Sequence, residues 1–156
     1  KGAAQIADRL AAGDDVVCLC EGDPFFYGSF MYLFSRLSDD FQIEVVPGVT
    51  SMTACAAALG RPLSARNEVL TVVPGPLEEA AMEARIAAAE AVVIMKVGRH
   101  IAKITRVLDR LGLSRYASYI ERATLAEERR CALDAAPDPA PYFSMILVTK
   151  GDDPWL

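Results

Sequence analysis

Short apolar runs alternate with amphipathic segments along this chain, and that alternation constrains its fold more than any other feature. The clearest runs are VVCLC (16–20), AVVIM (91–95) and FSMILVTK (143–150). From Gly98 to Leu111, apolar residues recur at intervals of three and four, which is the spacing of a helix with one buried face. Buried strands that alternate with such helices predict an α/β protein with largely parallel sheets covered on both faces.

The remaining elements follow from the same two periodicities, with glycine or proline at many of their ends. Further helices are predicted at 3–10, 27–37, 50–59 and 77–89, and further strands at 43–46, 70–73, 116–121 and 129–133. The last strands of the chain have no helix between them, so we expect them to pair antiparallel. The proline-rich segment 135–141 is predicted to be a surface hairpin connection between two of them.

Pro47 and Gly48 mark the predicted division of the chain, because a rigid residue beside a permissive one makes a defined elbow. On this interpretation, residues 1–47 form the C-terminal part of a first α/β domain and residues 48–156 form a second α/β domain. The sequence begins directly in a helical pattern, as if in the middle of the alternation. We therefore expect the first domain to be N-terminally incomplete in this chain.

Composition narrows the classes of function. Hydrophobic residues make up 53% of the 156 positions, enough to bury one substantial core or two small ones. Asp and Glu number 21 against 16 Lys and Arg, and this acidic balance argues against a general nucleic-acid binder. No apolar run approaches the roughly 20 residues of a membrane-spanning helix, and no basic and apolar leader opens the sequence. We expect a soluble, cytoplasmic protein with neither a nucleic-acid nor a membrane partner.

The four cysteines, Cys18, Cys20, Cys55 and Cys131, form no CxxC pair and have no accompanying histidines. This spacing does not favour a zinc site, and we expect the protein to bind no metal. Because residues two apart on a strand point to the same side, Cys18 and Cys20 are interpreted as small buried hydrophobic residues in a reducing compartment.

The stretch CEGDPFFYGSFMYLF places turn-forming residues where the first predicted strand ends. In open α/β sheets, ligands collect beyond the carboxyl ends of strands, where loops separate and helix N-termini expose unpaired amides. Gly22 lets a ligand approach the backbone, Asp23 supplies an acceptor, and Pro24 fixes the turn. The alternative is a plain chain reversal, and this tripeptide alone does not decide between the two. A second corner, PGVTS, follows the next predicted strand.

Together, CEGDPFFYGSFMYLF and VPGVTSMTACAAALGRPLS resemble the tetrapyrrole methylase family of S-adenosylmethionine-dependent enzymes. The resemblance covers nearly the whole chain, and it is densest before Leu63. It implies two α/β domains with a cleft between them, which holds the methyl donor and a tetrapyrrole, and it implies a homodimer. Within the family, the first string is most similar to the branch that methylates carbon 20 of precorrin-2, or of cobalt-precorrin-2, in cobalamin biosynthesis. The alternatives are another regiospecificity, or a dimerising or binding remnant of the fold without catalysis.

The same resemblance implies a set of site residues. The family's contacts to S-adenosylmethionine fall on Gly22, Asp23, Phe26, Tyr27, Thr50, Ser51, Met95 and Ala123. At the last of these the sequence departs from the family, having IERAT in place of a Glu-x-Gly pattern. The family's GxGPGD loop has no counterpart in this chain, so we expect the fragment alone to be inactive. No residue is assigned as catalytic.

Arg61 and Arg66, in the loop after the PGVTS helix, are the candidates for binding the carboxylates of a tetrapyrrole. A guanidinium recognises a carboxylate through two parallel hydrogen bonds, so a few arginines suffice even in an acidic protein. The alternative is that both side chains are solvated surface groups.

Overall fold

The structure, a computed structural model, describes residues 2–150. The chain divides into two compact units, Lys1–Ser51 and Met52–Leu156, and each is described by itself. The division at Pro47 and Gly48 into two domains stays a prediction about the whole protein. Within residues 2–150, no helix has the length and apolar character needed to cross a membrane.

The first unit contains two helices, α1 (Gly2–Ala11) and α2 (Phe30–Leu37), which contact each other. The first confirms the helix predicted at 3–10, and Gly13, with a φ of 89°, lies just beyond its end. The second was predicted to begin at Tyr27, but it begins at Phe30. Tyr27 has a φ of 55°, a left-handed conformation that an α-helix cannot include.

Two strands predicted in this unit are absent from the described residues. Segments 16–20 and 43–46 lack assigned strand structure. Val17 and Leu19 are 82% and 94% exposed, and Cys18 and Cys20 are exposed as well, so their predicted burial is wrong. An apolar sequence favours extended backbone, but a strand also needs a neighbour to complete its hydrogen bonds. Residues 2–150 supply no such neighbour to either segment.

The second unit is built on a five-stranded sheet. Its strands are β1 (Leu70–Pro74), β2 (Ala91–Met95), β3 (Ala117–Glu121), β4 (Arg129–Ala132) and β5 (Ser144–Thr149), in the order β1-β2-β5-β3-β4. Only β1 and β2 pair in parallel, and the other three pairings are antiparallel. The prediction of antiparallel final strands is confirmed, whereas that of a largely parallel sheet is wrong. Segment 135–141 is not a hairpin connection, because β3 lies between β4 and β5.

The other three α-helices of the described residues are α3 (Ser51–Leu59), α4 (Glu79–Ala88) and α5 (Ile101–Arg110). Short 3-10 helices lie at Gly98–His100, Ser114–Tyr116 and Leu133–Ala135. Helices α4 and α5 pack together and contribute apolar side chains to one core with one face of the sheet. The largest fully buried members of that core are Tyr119, Met82, Ile86, Ile94, Ile104, Leu108 and Ile146. The periodicity of α5 predicted one buried face, and the structure confirms it. The buried residues are Ile101, Ile104, Val107 and Leu108.

The strand directions bring several loops to one edge of the sheet. Because β5 is antiparallel to both β2 and β3, those two strands run in the same direction as β1. The carboxyl ends of all three therefore share an edge. At this edge, Met95 of β2 pairs with Met145 of β5, and Glu121 of β3 pairs with the neighbouring Ser144 of β5. This edge carries two of the candidate site residues, Met95 and, just beyond β3, Ala123.

Candidate functional site

In the first unit, the Asp23 carboxylate joins two turns that are distant in sequence. The backbone N–H of Phe25 donates to Oδ1 at 2.9 Å, and the N–H of Gly48 donates to Oδ2 at 3.0 Å. Each carboxylate oxygen thus accepts a backbone hydrogen bond. The residues after the first predicted strand and the Pro47-Gly48 corner are held together by one side chain.

The two corners also meet through their backbones. A Cβ built on Gly48 would overlap the carbonyl oxygen of Gly22 and lie 2.9 Å from its carbonyl carbon. Only glycine allows this approach, since real Cβ atoms do not come so close to backbone. Gly22 itself has a φ of 79°, which favours glycine for a second reason.

Hydrogen bonding fixes the charge of this corner. The N–H of Gly48, and then that of Phe25, lower the pKa of Asp23 below its ordinary value, because they stabilise the ionised carboxylate. The group is therefore a fixed negative charge at neutral pH. Each carboxylate oxygen accepts one backbone hydrogen bond and keeps a further lone pair. Asp23 therefore organises the two loops and can still accept a hydrogen bond from a ligand.

The other candidates of this unit surround the same two corners in sequence. Phe26 is half-buried, and its ring packs edge to face against Tyr27, with centroids 5.0 Å apart. Tyr27 is 44% exposed. Thr50 is half-buried and directly precedes α3, and the exposed Ser51 is the first residue of that helix.

In the second unit, Met95 and Ala123 lie at the shared edge of the sheet. Met95 ends β2 and is 7% exposed. The N–H of Gly75, after β1, donates to its carbonyl oxygen at 2.7 Å, and a Cβ on Gly75 would lie 3.1 Å from the carbonyl carbon of Lys96. Because β5 separates β2 from β3, the ends of those two strands are about 10 Å apart, two strand spacings.

Left-handed backbone marks these positions. Among residues 2–150, the non-glycine residues with positive φ are Tyr27, Arg66, Lys96, Arg122 and Thr124. Two are themselves site candidates, one follows Met95, and two flank Ala123. Such conformations cost energy, persist only where surrounding contacts impose them, and occur preferentially at ligand sites. Sequence reasoning missed this feature, because nothing in the residue types Lys, Arg or Thr predicts a positive φ.

The two candidate arginines are exposed. The N–H of Arg61 donates to the carbonyl of Ala56 at 3.0 Å, just beyond the end of α3. Arg66, with a φ of 51°, lies in a turn in which the N–H of Ala65 donates to the Glu68 carboxylate at 2.7 Å. The turn presents the Arg66 side chain at the surface, and the binding roles of both residues stay predictions.

A buried polar pair lies at the same edge of the sheet. Tyr119 is fully buried, and its hydroxyl donates to Oε2 of Glu121, which is 7% exposed, at 2.5 Å. Burial, reinforced by the neighbouring carboxylate, raises the pKa of the Tyr119 hydroxyl above its ordinary range. The Tyr119 hydroxyl therefore stays protonated and can donate to the Glu121 side chain, next to the turn that carries Ala123.

We expect Tyr119→Phe to lower the free energy of unfolding by about 1–3 kcal/mol, because the ring is kept while the buried Glu121 loses its donor. Urea denaturation of both proteins measures the difference. The matched control is Tyr142→Phe, since Tyr142 is 86% exposed, and its effect should stay within about 0.5 kcal/mol. Equal stability of Tyr119→Phe and the parent protein would show that the hydrogen bond contributes nothing.

In the part of the chain that the structure describes, no three His, Cys, Asp or Glu side chains cluster so as to hold a metal ion. Cys55 is buried and the half-buried Cys131 packs against the core, whereas Cys18 and Cys20 are exposed. Burial, followed by the charge of Glu128, raises the pKa of Cys55 to about 11. A thiol with so high a pKa is a weak nucleophile at neutral pH.

The family profile of the tetrapyrrole (corrin/porphyrin) methylases matches residues 1–136. The chain belongs to the tetrapyrrole methylase family. Its resemblance to that family, seen in the two corner motifs, is thereby confirmed.

Among curated relatives, this tetrapyrrole methylase is 48% identical over 149 residues to a precorrin-2 C(20)-methyltransferase from a Sinorhizobium species, a match that covers 95% of this chain and 61% of that protein. It is 33% identical over 151 residues to the cobalt-precorrin-2 C(20)-methyltransferase of Salmonella typhimurium, covering 95% of this chain and 64% of that one. The chain thus spans less than two thirds of the length of either relative.

Solved structures agree on the fold. A cobalt precorrin-4 methyltransferase, CbiF, matches with a TM-score of 0.75 at 23% identity, covering 94% of this chain and 69% of its own. Uroporphyrin-III C-methyltransferase from Thermus thermophilus, complexed with S-adenosylhomocysteine, matches with a TM-score of 0.65 at 29% identity, covering 92% and 70%. The α/β fold expected from the resemblance is confirmed.

Proposed function

We propose that the protein transfers a methyl group from S-adenosylmethionine to carbon 20 of precorrin-2 in cobalamin biosynthesis. The observation that carries this proposal is the 48% identity, over 95% of the chain, to a relative named for that reaction. Identity to the relative named for the cobalt-bearing substrate is lower, at 33%, which favours metal-free precorrin-2. A homodimer, which the family resemblance implies, is part of the proposal, as is the cytoplasmic location expected from the sequence.

The residues present fit a methyl donor of this kind. Two close backbone approaches, Gly22 to Gly48 and Gly75 to Lys96, lie beside the candidate residues, and neither leaves room for a side chain at Gly48 or Gly75. We assign donor contacts to Gly22, Asp23, Phe26, Tyr27, Thr50 and Ser51 of the first unit, and to Met95 and Ala123 of the second. In Met95 and Ala123 the contact would be made by backbone atoms, whose positions the neighbouring left-handed residues fix.

When bound, S-adenosylmethionine supplies a methyl group on a positively charged sulfur, which an electron-rich carbon can accept in line. The protein then has to align the two reactants and exclude water. Alignment alone can be equivalent to an effective concentration of about 10⁵ M. The half-buried Phe26 beside Tyr27 is suited to excluding water from the donor, and the ionised Asp23 is suited to accepting a hydrogen bond from a hydroxyl or amine.

Arg61 and Arg66 are proposed to bind carboxylates of the tetrapyrrole. Both are exposed, and the turn around Arg66 is fixed by the Glu68 carboxylate. An arginine whose backbone lies in a defined turn has less backbone freedom to lose when it binds a carboxylate than one on a mobile chain does.

The test is an incubation of the full-length protein with methyl-labelled ¹³C donor and precorrin-2, followed by NMR of the product. We expect one labelled methyl group, at carbon 20. A label at another carbon would assign the protein to a different regiospecificity within the family. Binding of the donor without turnover would instead identify a binding remnant of the fold.

A further inference from the structure

The turn after β3 is held by contacts that the proposed reaction does not by itself explain. Arg122 and Thr124, with φ of 50° and 69°, flank Ala123, so left-handed backbone lies on both sides of one candidate donor contact. Neither residue type favours this conformation, and such backbone persists only when its surroundings impose it. The contacts that impose it are therefore part of the construction of the site.

Two of those contacts are made by the backbone. The N–H of Arg122 donates to the carbonyl of Phe143 at 2.8 Å, which ties the beginning of the turn to the residue before β5. The N–H of Leu125 donates to the carbonyl of Arg122 at 3.0 Å, which closes the turn on itself. Any residue other than proline could donate both bonds, so they depend little on the residue types at these positions.

The third contact is made by a side chain. The N–H of Thr124 donates to Oε2 of Glu128 at 2.7 Å. The other carboxylate oxygen, Oε1, accepts from Nε of Arg130 at 2.7 Å. The N–H of Glu128 itself donates to the carbonyl of Leu125 at 3.1 Å, so both its backbone and its side chain are anchored. Arg130 thus orients a carboxylate that in turn orients Thr124.

The pKa of Glu128 is shifted in the direction that these hydrogen bonds require. The amide of Thr124, and then the guanidinium of Arg130, lower the pKa of Glu128, so the acceptor stays ionised at neutral pH. Glu128 is half-buried, whereas its neighbour Glu127 is exposed. Of two adjacent glutamates, one is committed to the turn and the other faces solvent.

We propose that Glu128 is a positioning residue of the donor site: its side-chain oxygen holds Thr124 in a left-handed conformation and thereby sets the backbone of Ala123. The inference rests on the proposed function, because only that function gives Ala123 a methyl donor to contact. Glu128 acts through the turn and does not touch the reacting atoms. What the turn requires is an acceptor oxygen facing the Thr124 amide, which glutamine keeps and alanine lacks.

The experiment compares Glu128→Ala, Glu128→Gln and the control Glu127→Ala in the full-length protein. Calorimetry measures the affinity for S-adenosylhomocysteine, and steady-state kinetics gives KM for the donor and kcat. For Glu128→Ala we expect affinity to fall, and KM to rise, by about tenfold, with kcat changed by less than about twofold. Glu127→Ala should match the parent protein, and Glu128→Gln, which keeps an acceptor oxygen for Thr124 but loses the one for Arg130, should lose clearly less affinity than Glu128→Ala.

Three results would overturn the inference. Unchanged affinity in Glu128→Ala would show that the turn does not need the side chain. Equal losses in Glu128→Ala and Glu128→Gln would show that charge matters and not the acceptor oxygen. A lower denaturation midpoint with unchanged KM would indicate a purely structural role. If the parent protein binds no S-adenosylhomocysteine, the proposed function fails first, which distinguishes the two failures.

Discussion

Gly48→Ala is expected to reduce the affinity of the full-length protein for S-adenosylhomocysteine by about 100-fold, because overpacking against rigid backbone costs up to about 3 kcal/mol. The new Cβ would overlap the carbonyl oxygen of Gly22 and lie 3.3 Å from the Cα of Asp23. These are backbone atoms and cannot rotate away, so the two corners have to separate. Separation also lengthens the hydrogen bond from the Gly48 amide to Asp23. Calorimetry measures the affinity.

The matched control is Gly2→Ala, a glycine of the same unit with no atom within 4 Å of an added Cβ. Gly2 lies in α1, where alanine has the higher helix propensity, so donor affinity should not change. Gly48→Ala binding as tightly as Gly2→Ala would mean that the contact between the corners does not support the donor site.

The second unit illustrates what a sequence can and cannot predict about a fold. The locations of β2 and β5 were predictable, because each is a run of buried apolar residues with breaks on either side. Their relative direction was not. A strand buried on both faces has the same apolar appearance in parallel and antiparallel sheets, and the direction is decided by which strands become neighbours. The placement of β5 between β2 and β3 is a tertiary outcome.

The candidate site divides in the same way. The GDP and PG corners could be predicted, since glycine and proline restrict backbone geometry locally. The connection between them could not, because the Asp23 carboxylate bonds to an amide 25 residues away. The left-handed Lys96, Arg122 and Thr124 were also missed. Their conformations are imposed by contacts such as that of Glu128 with Thr124, which exist only in the folded chain.

Asp23→Ala is expected to weaken donor binding by about tenfold, because two backbone amides lose their acceptor and the corners are no longer joined. Asp23→Asn keeps one acceptor oxygen and should lose less. Asp39→Ala removes an exposed carboxylate of the same unit and should bind the donor normally. Calorimetry with S-adenosylhomocysteine ranks the three variants, and an affinity for Asp23→Ala equal to that of Asp39→Ala would argue against any role of Asp23 in the site.

The lowered pKa of Asp23 also predicts how its contribution to the stability of the fold depends on pH. Because the folded protein favours the ionised carboxylate, the unfolded chain takes up a proton first as the pH falls. The stabilisation is complete above the ordinary aspartate pKa of about 3.9 and disappears as the pH drops through the lower value of the folded state. Asparagine does not titrate, so urea denaturation should find the stability difference between the parent protein and Asp23→Asn constant from about pH 5 to 8 and smaller below about pH 4. A difference that instead grew in acid would require a pKa raised by folding, and the hydrogen bonds from Gly48 and Phe25 act in the opposite direction.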